Sequence, residues 1–292
     1  MFAAQLALNA LALGSAYALV AIGFVLVLNA TTAVNFAHGE SVVAGGFAAV
    51  AIAGLLPAGI PGIVLLPGVL VVTALLGLII AGVAYLPIRS RPPVSVFVTT
   101  IAFGIIVTNG LNAVFGAAPR TAPALVGSGA VEFLGVTVSL QSLAIIATAA
   151  LLIGALAFVL QRTQLGRQFR ACSQDPEMAR ALGIRLVRIT LLGFALGTAF
   201  AGAAGLLLAH QFFVSPSDGG ILILKAYIAV VIGGWGSLRG ASVGALLIAV
   251  FEVGVASVSS QPVAEAMLYI AVLLVLFVRP EGVFGEPQRV RA

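Results

Sequence analysis

The sequence predicts an all-α membrane protein, a polytopic bundle of transmembrane helices with short broken helices among its spans. Of its 292 residues, 61% are hydrophobic and 8% are charged, whereas a soluble globular protein carries roughly 25% charged residues. The apolar residues form long blocks and do not alternate with polar ones, which argues against a β-barrel. Several blocks reach the ~20 residues that a helix needs to cross the hydrocarbon core.

The apolar blocks predict about nine spans, with a range of about eight to ten, within one membrane domain over residues 1–292. The block at 94–115 leaves open whether it crosses or dips in and returns. The first basic residue is Arg89, so the first block lacks the basic start of a secretory signal and is expected to remain as a span. The sequence shows no internal repeat. The blocks cover residues 5–28, 36–56, 63–86, 94–115, 140–160, 189–210, 221–235, 241–258 and 263–278.

Arginines predict the orientation of the spans. The loop 162–188 holds six arginines against Asp175 and Glu177, and short loops rich in arginine stay in the cytoplasm. Counting spans from this loop places the N-terminus outside and the C-terminus in the cytoplasm, with Arg120 the one arginine outside. The net charge of +5 therefore reflects membrane topology, and no nucleic-acid partner is expected.

Within that loop, residues 173–183 predict a short helix with both ends specified. Asp175 is a good N-cap, because its carboxylate can accept a hydrogen bond from an N–H of the first turn. Pro176 suits the first helical position, where its missing donor costs nothing, and Glu177 complements the positive end of the helix dipole. Gly183 suits the left-handed residue that ends a helix.

Two apolar residues give this helix one small hydrophobic face. Met178 and Leu182 lie four residues apart on one side, and Arg180 lies off that side. A helix of two turns is unstable alone, so the face needs a partner. The sequence favours docking in the groove of a cytoplasmic protein; a helix lying on the membrane surface or on the chain's own loops is the alternative.

Four motifs resemble the LivH-type permeases of branched-chain amino acid ABC importers. They are NFAHGE at 35–40, RACSQDPEMARALGI at 170–184, GGWGSLRGA at 233–241 shortly after Lys225, and RPEGVFG at 279–285. The resemblance implies a multi-pass subunit of the inner membrane that carries a small polar solute and whose 162–188 loop couples to ATPases. It implies as partners a second related permease or a second copy of this chain, two cytoplasmic ABC ATPases and a periplasmic or extracellular substrate-binding protein.

Other functions remain as alternatives. Similar permeases carry urea and short amides, and an autonomous carrier or channel would need no ATPase. The chain is not expected to be an ATPase, because its only lysine, Lys225, lies between Leu224 and Ala226 and cannot complete the GxxxxGK[ST] P-loop. No nucleophile, base and orienting group form a recognisable enzyme site, and no cofactor is predicted.

The segment 35–40 is the first candidate for a translocation path or gate. Glu40 is the only formal charge among the first 88 residues, and ionisable groups in a membrane are costly and by default functional. Asn35, His38 and Glu40 could therefore form a polar hinge. Alternatively, Asn35 caps the second helix with Glu40 near its positive end. His38 and Glu40 are too few ligands for a metal site.

Lys225 is the second candidate, at the outer end of its block. Three roles are open for this lysine. It could form an ion pair with Asp218, it could snorkel to the interface, or it could contact the carboxylate of the substrate. Glu252 lies within an apolar block and is expected to face the bundle interior or a partner. Gly233 and Gly234 break the end of a span, and irregular backbone at membrane depth favours a pathway or gate.

A stripe of small residues predicts close helix packing. The four residues recur at every fourth position and so lie on one side of their helix, where a second helix can approach closely. No chemistry is expected of them. The stripe consists of Gly193, Gly197, Ala201 and Gly205.

Overall fold

The computed structural model describes residues 2–57, 59–127, 129–133 and 136–278. Its elements are helices apart from one antiparallel β-hairpin, in which Ala130 pairs with Ser139 and Phe133 with Val136. The elements are α1 (Phe2–Thr31), α2 (His38–Leu55), α3 (Leu66–Ile80), α4 (Pro93–Phe115), β1 (Ala130–Phe133), β2 (Val136–Ser139), α5 (Leu140–Arg162), α6 (Gln164–Gln174), α7 (Pro176–Ala181), α8 (Leu186–Ala209), α9 (Gly219–Gly233), α10 (Leu238–Ala256) and α11 (Gln261–Val278).

The predicted apolar blocks all have a helical counterpart. In the described residues, seven helices are long and apolar enough to cross a membrane, and α9 and α11 are shorter apolar helices. The third block is one 27-residue span, in which a 3₁₀ turn precedes α3 and a π-helical turn and a second 3₁₀ turn follow it. The block at 94–115 is a single continuous helix, α4, and does not turn back. The motif at 279–285 and the arginines at 279, 289 and 291 lie outside the described residues.

Helix α1 forms the centre of the bundle. In its most apolar stretch 89% of the residues are buried, against 17% in α4, so α4 is peripheral. Helix α1 packs on α8 and α10, and α8 runs antiparallel to it, because Gly23 meets Gly197 while Leu26 and Ala30 meet Gly193. A buried apolar core therefore surrounds α1 on several sides.

The chain breaks twice inside the bundle. After α1, residues 32–37 turn back so that α2 begins beside the middle of α1, where His38 Nε2 lies 3.0 Å from the carbonyl oxygen of Val20. After α8, residues 210–218 lead into α9. Each break contains one of the two non-glycine residues with positive φ in the described part of the chain: Thr32 at 56° and Phe213 at 55°. The N-terminal ends of α2 and α9 meet where Gly39 contacts Gly219.

The packing divides the bundle into two halves of opposite direction, α1–α4 and α8–α11, with α5–α7 between them. Helix α1 packs on α10 of the other half, and its counterpart α8 packs on α3. Within the halves, α2 packs on α3 and α4, and its counterpart α9 packs on α10 and α11. Helix α1 with α8, and α2 with α9, pair across the centre. This is the arrangement of an inverted repeat, as found in many transporters, although the sequence shows no internal repeat.

Candidate functional site

Helix α7 has the two ends that the sequence predicts. Asp175 Oδ1 accepts hydrogen bonds from the backbone N–H groups of Glu177 and Met178, at 3.0 and 2.9 Å. Gly183 has a φ of +81° and donates its N–H to the carbonyl oxygen of Arg180 at 2.9 Å. The N-cap, Pro176 at the first position and the glycine terminator are thus confirmed, and Leu182 lies just after the last helical residue.

Helix α7 is anchored on one side and exposed on the other. Ala179 is buried, and α7 packs on α6 and α8. Met178 and Leu182 are 58% and 72% exposed, and Arg180 is exposed beside them. The sequence did not predict α6, whose Thr163 side chain caps its first turn. On α6 Cys172 is a buried free cysteine, and burial raises the pKa of its thiol.

The segment 35–40 lies deep in the bundle. His38 is fully buried, and its Nε2 contacts the carbonyl oxygen of Val20. Asn35 does not cap α2, which begins after Ala37 without a side-chain cap. Its Oδ1 accepts instead from the N–H of Ala37 at 3.1 Å, which fixes the turn before the helix. The capping alternative for Asn35 is therefore wrong, because Asn35 lies two residues before Ala37, which occupies the N-cap position.

Glu40 lies at the meeting of three helices. Its carboxyl group lies against Gly219 at the start of α9 and against Gly104 of α4, so that a Cβ on either glycine would stand 2.8 or 3.2 Å from a carboxyl atom. Its Oε2 has no hydrogen-bond partner in the described residues. Together with polar residues of α4 it lines a groove of about 410 Å³, which includes Phe36, Thr108, Asn109 and Gly220.

Lys225 belongs to a buried ion network. Its Nζ lies 2.8 Å from Glu252 Oε1 and 3.1 Å from Glu265 Oε1, and it donates to Tyr17 Oη at 2.9 Å. Lys225 is 5% exposed, so it does not snorkel to an interface. Asp218 is not its partner, because Asp218 Oδ2 accepts from the N–H of Ser215 at 2.8 Å and serves the turn before α9.

The sequence indicated only part of this network. It placed Glu252 in the interior, and Glu252 is 1% exposed. Tyr17 and Glu265 went unnoticed, although Glu265 is the one formal charge in its apolar block and the same reasoning would have selected it. Gln261, four residues earlier, also donates to Glu252. These residues come from α1, α9, α10 and α11, so the network joins both halves.

The predicted glycines lie at backbone contacts. Gly233 ends α9 against Gly240 of α10, and Gly234 has a φ of +104°. Asn29 Nδ2 donates to the carbonyl oxygen of Gly236 at 2.9 Å, which ties this turn to the end of α1. On α8, Gly193 and Gly197 face α1, Gly205 faces the backbone of α2 at Val42, and Ala201 is fully buried.

A bundle of apolar helices with two internal chain breaks, interior charges and an exposed capped helix defines a multi-pass membrane transport protein. The chain belongs to the family described as the permease component of the branched-chain amino acid transport system, whose model matches residues 6–277. The resemblance found in the sequence is therefore confirmed.

Named relatives cover nearly the whole chain. The permease protein BraD of a high-affinity branched-chain amino acid transport system in Pseudomonas aeruginosa is 32% identical over 97% of this chain and 96% of its own. The corresponding LivH protein of Escherichia coli K12 is 32% identical over 96% and 94%. A probable LivH of Methanocaldococcus jannaschii is 28% identical over 80% and 75%. No solved structure matches the chain.

Proposed function

We propose that this chain is the translocating permease subunit of an ABC importer for branched-chain amino acids in the inner (plasma) membrane. It pairs with a second related permease or with a second copy of itself, two ABC ATPases bind its cytoplasmic side, and a substrate-binding protein delivers solute from outside. Family membership and the names of the relatives support the substrate class. The observation that carries the ATP-driven mechanism is helix α7.

Helix α7 is built to present two apolar side chains to another protein. Six residues are far fewer than the ~12–15 that make an isolated helix marginally stable, so its caps and the buried Ala179 must hold it. Met178 and Leu182 remain exposed in a segment rich in arginine, and two apolar side chains in contact with water do not stabilise the chain. Insertion into a groove of the ATPase covers both and passes nucleotide-driven motion through α6 and α8 to the spans.

The test is a Leu182→Asp variant expressed with the ATPase subunits. Burial of an unpaired carboxylate costs several kcal/mol, so we expect loss of ATPase copurification and of ATP-dependent uptake in liposomes. Leu165→Asp, at an exposed leucine of α6, is the matched control and should retain both. Full recovery of both ATPases together with normal uptake by Leu182→Asp would overturn the coupling role and favour an autonomous carrier.

The translocation path includes the groove at Glu40 and α4. Helix α4 is peripheral, yet Thr108 and Asn109 place polar side chains beside Glu40 in a groove whose other side chains are apolar. Such polar and ionisable groups suit a water-filled path shared with the partner permease better than contact with lipid. Asn35, His38 and Lys225 support the broken helices around this path, and Gly233 and Gly234 shape its cytoplasmic end. About nine spans with an outside N-terminus and a cytoplasmic C-terminus complete the arrangement.

A further inference from the structure

A second cavity lies beside Lys225, apart from the groove at Glu40. It has a volume of about 240 Å³ and is lined by α1, α2, α8, α9, α10, α11 and the break after α8. Lys225, Glu252 and Glu265 form the polar wall of the cavity, and Tyr17, Gln261 and Asp218 add further polar groups to its lining. The remaining residues of the lining form its apolar wall. The apolar lining includes Val42, Leu208, Phe212, Phe213, Val214 and Leu222.

The polar wall consists of two ion pairs that differ in their exposure. The Lys225–Glu252 pair is dry, because the two side chains are 6% and 2% exposed, whereas the Glu265 side chain is 28% exposed. Glu252 is further held by Tyr17 and Gln261, while the only hydrogen bond of the Glu265 carboxylate in the described residues comes from Lys225. The Lys225–Glu265 pair is therefore the one that a solute can open.

We propose that this cavity binds a zwitterionic aliphatic amino acid, inserted into the Lys225–Glu265 ion pair with its side chain on the apolar wall. The α-carboxylate takes the place of Glu265 on Lys225, and the α-ammonium binds the released Glu265 carboxylate. Lys225 keeps two carboxylate partners throughout, since Glu252 does not move. One ion pair is exchanged for two, and neither Lys225 nor Glu265 is left without a partner.

Other solutes fit this wall less well. A simple cation would satisfy Glu265 but compete with Lys225 for it, and a simple anion would leave Glu265 without a partner. A neutral solute such as urea or a short amide offers no charge to either residue and has no aliphatic part for the apolar wall. The inference rests on the proposed permease function, and it selects amino acids over amides as the substrate class.

Equilibrium binding to the full-length chain in lipid nanodiscs tests the site directly. Radiolabelled leucine is competed by isoamylamine, which lacks the carboxylate, by 4-methylpentanoate, which lacks the ammonium, and by urea. Because each charged contact contributes on the order of tenfold or more in affinity, we expect both leucine analogues to bind at least about tenfold more weakly than leucine. Urea should not compete. Equal binding of leucine and 4-methylpentanoate, or no leucine binding by the wild-type chain, would overturn the site.

Glu265→Gln gives a readout that a purely structural role would not change. It should weaken leucine binding about tenfold and tighten the binding of 4-methylpentanoate, because this anion no longer takes Lys225 away from a charged Glu265. The preference for leucine over this analogue should therefore disappear. Phe212→Ala, at an exposed residue of the apolar wall, should weaken the binding of leucine more than the binding of alanine. Phe158→Ala, at an exposed phenylalanine of α5 outside the cavity lining, is the control and should retain wild-type preferences.

These results separate the site from the proposed function. If Glu265→Gln retains the wild-type preference for leucine over 4-methylpentanoate, the site is wrong even when uptake stays ATP-dependent. If the preference disappears as expected but leucine uptake proves independent of ATP, the site stands and the ABC mechanism is wrong.

Discussion

At the scale of single residues, the ion network at Lys225 carries a cost that its own contacts must offset. Removing an ion from water costs several kcal/mol even after relaxation, and Lys225 and Glu252 are both buried. Their 2.8 Å contact and the hydrogen bonds from Tyr17 and Gln261 satisfy Glu252. A network of this kind is more sensitive to losing one member than to losing a complete pair.

We therefore expect Glu252→Leu to be much less stable than the wild type, by about 3–5 kcal/mol, because Lys225 loses its dry partner. The double variant Lys225→Met, Glu252→Leu should recover most of that loss, because no fully buried charge then lacks a partner. Glu265 loses Lys225 as well, but its side chain is 28% exposed and stays in contact with water. Thermal unfolding of the purified chain in detergent measures both. A double variant that unfolds no later than Glu252→Leu would contradict this account of the network.

A second prediction at the residue scale concerns Glu40. Its carboxylate lies at the N-terminal ends of α2 and α9, where the helix dipoles favour negative charge, and its Oε2 lacks a partner in the described residues. Glu40→Gln preserves the shape but removes the charge. We expect reduced uptake, or ATP hydrolysis uncoupled from uptake, in a complex that still assembles. Normal uptake kinetics in the reconstituted transporter would leave Glu40 a packing role only.

At the scale of helices, glycines set how closely the elements approach. A Cβ on Gly205 of α8 would collide with the backbone of α2 at Val42, whereas one on Gly154 of α5 meets nothing within 4 Å. Alanine favours an exposed helix by about 1 kcal/mol over glycine. Gly205→Ala should therefore lower the thermal unfolding midpoint in detergent, while Gly154→Ala should preserve or raise it. A Gly205→Ala variant as stable as the wild type would show that α2 and α8 can separate freely.

The sequence predicted elements well where local chemistry decides and poorly where distant contacts decide. Apolar blocks and the caps of α7 are local, and both appear in the structure. The proposed Lys225–Asp218 pair was wrong, because Asp218 is used by the turn before α9 while Glu252 and Glu265 approach from two later helices. Likewise the start of α2 beside Val20 of α1 depends on packing across the bundle, which no single segment encodes.

At the scale of the whole molecule, two exposed serines report the orientation in the membrane. Ser90 lies in the Arg89–Arg91 turn and Ser259 between α10 and α11, and both are exposed. The proposed topology places the first in the cytoplasm and the second outside. In a Cys172→Ser background, an impermeant thiol reagent should label Ser259→Cys on intact cells and Ser90→Cys only after lysis. The reverse pattern would invert the orientation.

The opposed halves, with a chain break in each, have a consequence for how the protein changes state. The two halves, α1–α4 and α8–α11, differ in sequence but have the same helix arrangement in opposite directions. Each half could therefore adopt the geometry of the other. An exchange of those geometries would replace the cavity beside the 210–218 break by one beside the 32–37 break, on the other side of the bundle. The second conformation of the protein would then require no new fold, and the proposed ATPase subunits would only have to determine which half takes which form.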